Sequence, residues 1–144
     1  MTQLRLSSID LANIITNRAY KKDIFLSKVH LQKSLIFLLA KLNQHHNYKP
    51  LVKYVFKTDV IYNGIHGPYF KNVSSIYSDH INALPITPNM FDTPLTSSDP
   101  LINRYIDLLL NKKPYTLMEL SKEHPSFKNH KTQINYNDLK YYSV

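Results

Sequence analysis

The sequence predicts a mainly α-helical protein, a single compact domain over residues 1–144 with about five to six helices. It also predicts a small β-strand or hairpin element around residues 51–62. Three observations carry this fold class. A chain of 144 residues is long enough for one domain with a proper core. Leucines recur at helical spacing through residues 31–42, and aromatic and β-branched residues alternate through residues 51–62.

The first part of the chain is predicted to form two helices. Ser7 or Ser8 can cap a helix whose apolar positions run to Ala19. Ser27 is placed to cap a second helix, in which leucines stand at positions 31, 35, 38 and 42. The width of that stripe indicates a central core helix. The remaining positions form a predicted polar face: Lys28, Gln32, Lys33 and Lys41.

The middle of the chain changes to a period of two, which predicts the β element, with residues 58–59 as its turn. The only two glycines of the sequence follow, Gly64 and Gly67, with Pro68 directly after them. Glycine tolerates positive φ, and proline fits the first turn of a helix. These three residues are therefore predicted as a structural turn that leads from extended chain into a helix over about residues 68–84.

The second half of the sequence contains one long proline-rich segment between further helices. Residues 85–100 hold four prolines, which predicts a surface loop that either contacts a partner or moves. Asp99 and Pro100 are a cap and a first-turn proline for the next helix. Asn135 is placed to cap a last helix through Tyr142.

The positive charge is concentrated in the first half. The net charge is +8, and residues 1–72 hold eleven Lys/Arg against three Asp/Glu, whereas residues 73–144 hold seven of each. A basic face attracts nucleic acid or an acidic protein partner. A helix-turn-helix over residues 116–142 is an alternative reading, but this segment has a net charge of only +1. Nucleic acid is therefore the secondary alternative.

No set of residues matches a known catalytic pattern. The absence of cysteine excludes disulfides and thiolate chemistry, the carboxylates are scattered, and the histidines lack metal-ligand spacing. We predict no catalytic residue, no metal site and no cofactor, and hence a protein that is not an enzyme. The longest apolar run, Leu35–Ala40, is too short for a membrane span, and no signal segment begins the sequence. A cytoplasmic protein without membrane contact is expected.

Eleven tyrosines and no tryptophan point to protein contact, because tyrosine combines flat apolar area with a polar tip. The second helix, the glycine turn and the proline-rich segment together predict a partner-binding surface. Its residues are Lys28, Gln32, Lys33, His66, Tyr69 and Tyr77. The alternative is that these residues only hold the core helices together.

Four stretches in this order resemble the Panacea domain, an antitoxin domain also described as SocA- or GepA-like. Residues 31–37 are similar to its Leu-Gln-Lys-x-Leu-x-Tyr helix, and residues 66–77 are similar to its Tyr-Gly-Pro…Val-Tyr segment. Residues 9–15 resemble its opening helix and residues 117–142 its terminal region. The chain departs from the family pattern at His66 and Phe37, where the family has tyrosine, and it lacks the family's tryptophan after proline.

The resemblance implies a small, mainly helical antitoxin that neutralises a cognate protein toxin by direct binding. It also implies a second kind of partner in some relatives, a protease to which the antitoxin delivers the toxin as an adaptor, and an origin on phages or other mobile elements. The alternative is a phage- or mobile-element-encoded inhibitor or regulator that acts on another host protein or on DNA.

Overall fold

The computed structural model describes residues 5–78, 84–128 and 132–144, and these residues are mainly helical with a small antiparallel sheet. The predicted fold class is confirmed, and the described residues hold seven α-helices. The α-helices are α1 Ser8–Lys21, α2 Lys28–Leu42, α3 Lys49–Thr58, α4 Lys71–Ser74, α5 Pro100–Leu110, α6 Pro114–Lys122 and α7 Pro125–Lys128. The strands are β1 Ile61–Gly64, β2 Gly67–Phe70 and β3 Gln133–Ile134. Short 3-10 helices span His46–Tyr48, Pro88–Met90 and Tyr136–Tyr141.

Helix α2 is the centre of the core, as its leucine stripe predicts. It contacts α1, α5, α6 and strand β2, and nearly all of its residues from His30 to Leu42 are buried. Ser27 caps it by accepting a hydrogen bond of 3.0 Å from the backbone N–H of His30. A helix that is covered on several sides has little room for a polar face, so a lysine in the middle of α2 is buried.

The caps predicted at Ser7, Asp99 and Asn135 are present, whereas a capping box predicted at Thr116 is wrong, because α6 already begins at Pro114. The side chain of Ser7 accepts from the Asp10 backbone at 3.1 Å, and the Asp10 carboxylate accepts from the Ser7 backbone at 3.0 Å. Asp99 accepts a hydrogen bond of 2.9 Å from Leu101 at the start of α5, where Pro100 has no N–H to satisfy. Asn135 caps the Tyr136–Tyr141 segment, which is a 3-10 helix. These local signals fix where the main helices begin.

The predicted strand over residues 51–62 is wrong for most of its length. Residues 49–58 form helix α3, with Pro50 at its first turn and with Leu51, Val52 and Val55 buried. Those three positions lie on one side of a helix and pack against α2. The strand begins only at Ile61, and residues 58–59 end a helix instead of turning a hairpin.

The two glycines form the turn of a β-hairpin. Gly64 pairs with Gly67 at the ends of β1 and β2, so Ile65 and His66 are the two residues of the loop. The predicted start of a helix at Pro68 is therefore wrong: Pro68 lies in β2, opposite Asn63. The sheet order is β2-β1-β3, which makes β2 an edge strand, and an edge strand tolerates a residue without an N–H.

The helix predicted over residues 68–84 is correspondingly short. Helix α4 spans only Lys71–Ser74, and residues 75–78 continue as turns. Residues 79–83, which include His80, lie outside the described residues. Residues 68–70, which the helical spacing predicted as the first turn of this helix, belong to strand β2.

The proline-rich segment is held against the body of the protein. Ile86 and Phe91 are buried, and the side chain of Asn13 on α1 donates to Thr93 O at 2.7 Å and accepts from Leu95 N at 3.1 Å. Asn17 donates to Leu95 O at 3.1 Å. The segment has the predicted loop character, with one 3-10 turn, but two α1 amides fix its path.

Candidate functional site

A hollow of about 450 Å³ opens between the N-terminal part of α2 and the β1–β2 hairpin. It brings together all six residues of the predicted partner-binding surface, although they are far apart in sequence. The predicted turn residues Gly64 and Gly67 line it too. The described residues that line the hollow are Ser27, Lys28, Val29, Gln32, Lys33, Gly64, Ile65, His66, Gly67, Tyr69 and Tyr77. Their role in binding remains a prediction.

Gln32 joins α2 to the hairpin. Its side-chain oxygen accepts a hydrogen bond of 2.7 Å from the backbone N–H of Phe70, and its amide nitrogen donates to Phe70 O at 3.3 Å. The same nitrogen donates to the hydroxyl of Tyr77 at 2.7 Å. Burial raises the pKa of Tyr77, although the bond from Gln32 opposes this effect. Gln32 is 3 % exposed, so it fixes one wall of the hollow from inside the fold.

Lys33 is buried, as Gln32 is, and the prediction that these two residues lie on a polar face is wrong. The Lys33 side chain is 2 % exposed because α2 is covered at this point by β2 and α6. The ammonium donates to Pro68 O at 2.7 Å. Burial, and secondarily the charge of Lys122 on α6, lower the pKa of Lys33 to about 7. The hollow therefore has a lysine as part of its lining that changes its charge near neutral pH.

Gly67 is required by both space and backbone. Its φ is +93°, and a Cβ built on it would lie 2.6 Å from the hydroxyl oxygen of Ser121. That hydroxyl is itself fixed by a 2.7 Å bond to Met118 O. The close approach of β2 to α6 depends on this glycine, and the same approach places Pro68 O above Lys33.

The rim of the hollow is apolar and cationic. Ile65 at the hairpin tip is 81 % exposed, the largest exposed fraction among the exposed large apolar side chains described. His66 beside it is exposed, and Tyr69 is half-buried with its ring 5.8 Å from that of Tyr62. The Lys28 ammonium lies 5.1 Å from the centre of the Tyr77 ring. The sequence analysis missed Ile65, whose position between the two glycines is the signal that could have found it.

Two described histidines lie outside the hollow and bond to other parts of the fold. His30 is buried and its Nε2 contacts Leu109 O at 3.0 Å, and desolvation lowers its pKa. His45 bonds the hydroxyl of Tyr105 at 2.7 Å. Within residues 5–78, 84–128 and 132–144, no three His, Asp or Glu side chains are grouped so that they could hold a metal ion.

Comparisons of the chain with protein-family models, with curated proteins and with solved structures found no match in any of the three. In the described part of the chain, no helix has both the length and the apolarity that crossing a membrane requires. The fold and the hollow define a small, mainly helical protein with a hairpin that forms one wall of a cavity lined by two lysines.

Proposed function

We propose that this protein is a non-enzymatic antitoxin that neutralises a cognate protein toxin by direct binding. The observation that carries the proposal is the hollow, which collects the six residues predicted for partner binding beside an exposed isoleucine. A large apolar side chain exposed at the tip of a two-residue loop is placed to pack against a partner surface. The Panacea-like order of the sequence stretches supports the same function.

The mechanism we propose is occlusion. The hairpin tip, with Ile65 and His66, contacts the toxin, and the basic hollow behind it covers part of the toxin's functional surface. The hairpin is held before binding by Gln32 and by the close approach at Gly67, so little ordering is needed on association. The side chain of Gln32 serves as a wall of the site, and the rim makes the first contact.

The proposal places the protein in the cytoplasm with its toxin, and it extends to a protease as a second partner if the complex acts as an adaptor. The charge of +8 supports an acidic surface on the toxin. No reaction is assigned to the protein. Gln32 bonds to the backbone of Phe70 and to the hydroxyl of Tyr77, and these bonds hold the wall of the hollow in place.

The test is co-expression with the neighbouring gene. We expect the neighbour alone to stop growth and this protein to restore it, and the two proteins to copurify. Ile65→Glu is expected to abolish rescue, whereas Tyr20→Glu changes a side chain that is 63 % exposed on α1 and should retain it. A harmless neighbour, or rescue by the Ile65 variant at the wild-type level, would contradict the proposal.

Salt dependence separates this proposal from the alternative of DNA binding. Binding to duplex DNA weakens steeply as salt rises, because phosphate contacts release counterions. Copurification of a protein partner through an apolar anchor is expected to persist at about 0.5 M salt, above which surface charges are strongly screened. Retention of DNA at low salt without any protein partner would favour the regulator instead.

A further inference from the structure

The ammonium of Lys33 has more donors than acceptors. A lysine ammonium carries three N–H groups. Among the residues that the structure describes, Pro68 O at 2.7 Å is the one acceptor that Lys33 bonds. The side chain is 2 % exposed, yet it lines the open hollow. A buried ammonium with unused donors is unfavourable, so the hollow offers a place for an acceptor that comes from outside.

The surroundings of Lys33 combine positive charge with apolar and uncharged polar side chains. Lys122 on α6 adds positive charge, and Lys28 and His66 stand at the rim. The described residues that line the hollow include no Asp or Glu. The remaining lining includes Val29 and Ile65. By charge complementarity the occupant is an anion, and by surface it carries an apolar group beside that anion.

We propose that the hollow binds an acidic side chain of the protein partner. The carboxylate accepts a hydrogen bond from the Lys33 ammonium, and a neighbouring apolar side chain of the partner packs on Ile65. This proposal rests on the proposed function and adds the chemistry that the partner must present. A volume of about 450 Å³ lies within the range of about 300–1,000 Å³ of natural ligand sites, which is enough for a few side chains.

Binding of a carboxylate favours the charged form of the amine it contacts. The pKa of Lys33 is about 7, so at pH 8 the empty hollow holds a mostly neutral amine, which takes up a proton as the carboxylate binds. The other titratable groups in this region are Lys122 on α6 with its ion-pair partner Glu119 at 4.0 Å, Lys28 and Tyr77, and His66 and Tyr69 on the hairpin. Comparison with a variant at Lys33 shows how much of the measured proton uptake belongs to Lys33 and how much to these other groups.

The experiment uses two capped tripeptides as probes, with glutamate or glutamine between two leucines. Calorimetry at pH 7 is expected to show roughly tenfold tighter binding of the glutamate peptide, because the added hydrogen bond is charge-assisted. Lys33→Met should abolish the preference. Lys57→Met removes the same charge from an exposed position on α3 that does not line the hollow, and should retain it.

Two further measurements keep the test independent of any folding defect in the Lys33 variant. Ile65→Glu and Ile65→Gln change a side chain that is 81 % exposed, and only the former should weaken binding of the glutamate peptide more than the glutamine peptide. At pH 8, binding heats in phosphate and Tris buffers should differ because the wild-type protein takes up roughly half a proton or more. The Lys33→Met protein should take up almost none.

Equal binding of the two peptides, or a preference that persists in Lys33→Met, would overturn the proposal. So would binding only of a glutamine peptide with a free C-terminal carboxylate, because the hollow would then capture a chain end. Co-expression distinguishes the two levels. Rescue of growth by wild-type and Lys33→Met proteins alike would leave the antitoxin function standing and overturn the acidic contact, whereas failure of the wild-type protein to rescue overturns the antitoxin function.

Discussion

Substitution of Lys33 by methionine is expected to remove a pH dependence from the stability of the protein. The folded state lowers the pKa of Lys33 from 10.5 to about 7 because the ammonium is buried. Below pH 7 both states hold the proton. Between pH 7 and 10.5 the unfolded chain still holds it while the folded chain has lost it, so the unfolded state binds more protons. The free energy of unfolding must therefore rise with pH across this window.

The size of the effect follows from the two pKa values. Each pH unit inside the window contributes up to about 1.4 kcal/mol, so the wild-type protein should gain about 3 kcal/mol between pH 7 and 9.5. The range stops at pH 9.5 because burial and Asp99 raise the pKa of Tyr48 to about 12, which lowers stability at higher pH as unfolded tyrosine ionises. Methionine at position 33 has no proton to lose and fills a similar volume.

The assay is urea unfolding at half-unit steps from pH 6 to 9.5, with the free energy of unfolding taken from each curve. The change of that free energy with pH is the readout, since loss of the bond to Pro68 O shifts all values of the variant by a similar amount. Lys57→Met is the control and should follow the wild-type protein. A slope that is the same in Lys33→Met and wild type would refute the buried, titrating lysine.

Three further predictions concern the frame of the hollow and one surface ion pair. Gly67→Ala should destabilise the protein by about 2 kcal/mol or more in urea unfolding, because it combines a φ of +93° with a Cβ 2.6 Å from a hydroxyl oxygen. Gly64→Ala should destabilise it less, because its Cβ meets the edge of a tyrosine ring at 2.9 Å. A Gly64 variant that is the more damaging would contradict this order. Gln32→Leu should reduce the free energy of unfolding by about 2–4 kcal/mol, since it leaves a buried N–H and C=O of β2 unpaired. Amide hydrogen exchange in β2 should accelerate in this variant, and unchanged exchange would contradict the role of Gln32 in holding β2. Arg18 lowers the pKa of Asp107, so this carboxylate should stabilise the fold above its unfolded pKa and lose that contribution as pH falls. Asp107→Asn should therefore reduce the free energy of unfolding by about 1 kcal/mol or less at pH 7, because the pair is partly exposed, and should cost nothing at pH 2. An equal loss at both pH values would contradict the ion pair.

Local signals in the sequence were sufficient for helices α1, α2 and α5. A cap needs only a serine or aspartate a few residues from the N–H that it accepts, so Ser7, Ser27 and Asp99 could be read without knowledge of the rest of the fold. The α2 stripe was wide enough to indicate a central helix. The pattern around residues 51–58 was ambiguous, because Val52 fits both a strand face and the helical set Leu51, Val52 and Val55. Packing on α2 decides between them.

The six residues predicted for partner binding lie together in the structure, but their arrangement could not be predicted from the sequence. The six residues were chosen from charge, aromatic content and the glycine turn, and the structure places them around one hollow. The sequence could not reveal that Lys33 is buried, because its cover comes from β2 and α6, which are distant along the chain. The hairpin was missed for a similar reason: Pro68 suits a helix start locally, and only pairing with Asn63 shows the strand. Non-local contacts determine both outcomes.

The third strand of the sheet has a consequence for the order of assembly during synthesis. Ile61 in β1 pairs with Phe70 on one side and with Ile134 on the other. Strand β3 follows α5, α6 and α7 in the chain, so a ribosome translates those helices before the second partner of Ile61 exists. Closing so long a loop is entropically costly and slows folding. A nascent chain therefore exposes one edge of β1 until late, and the three-stranded sheet is complete only after residues 133–134 have been made.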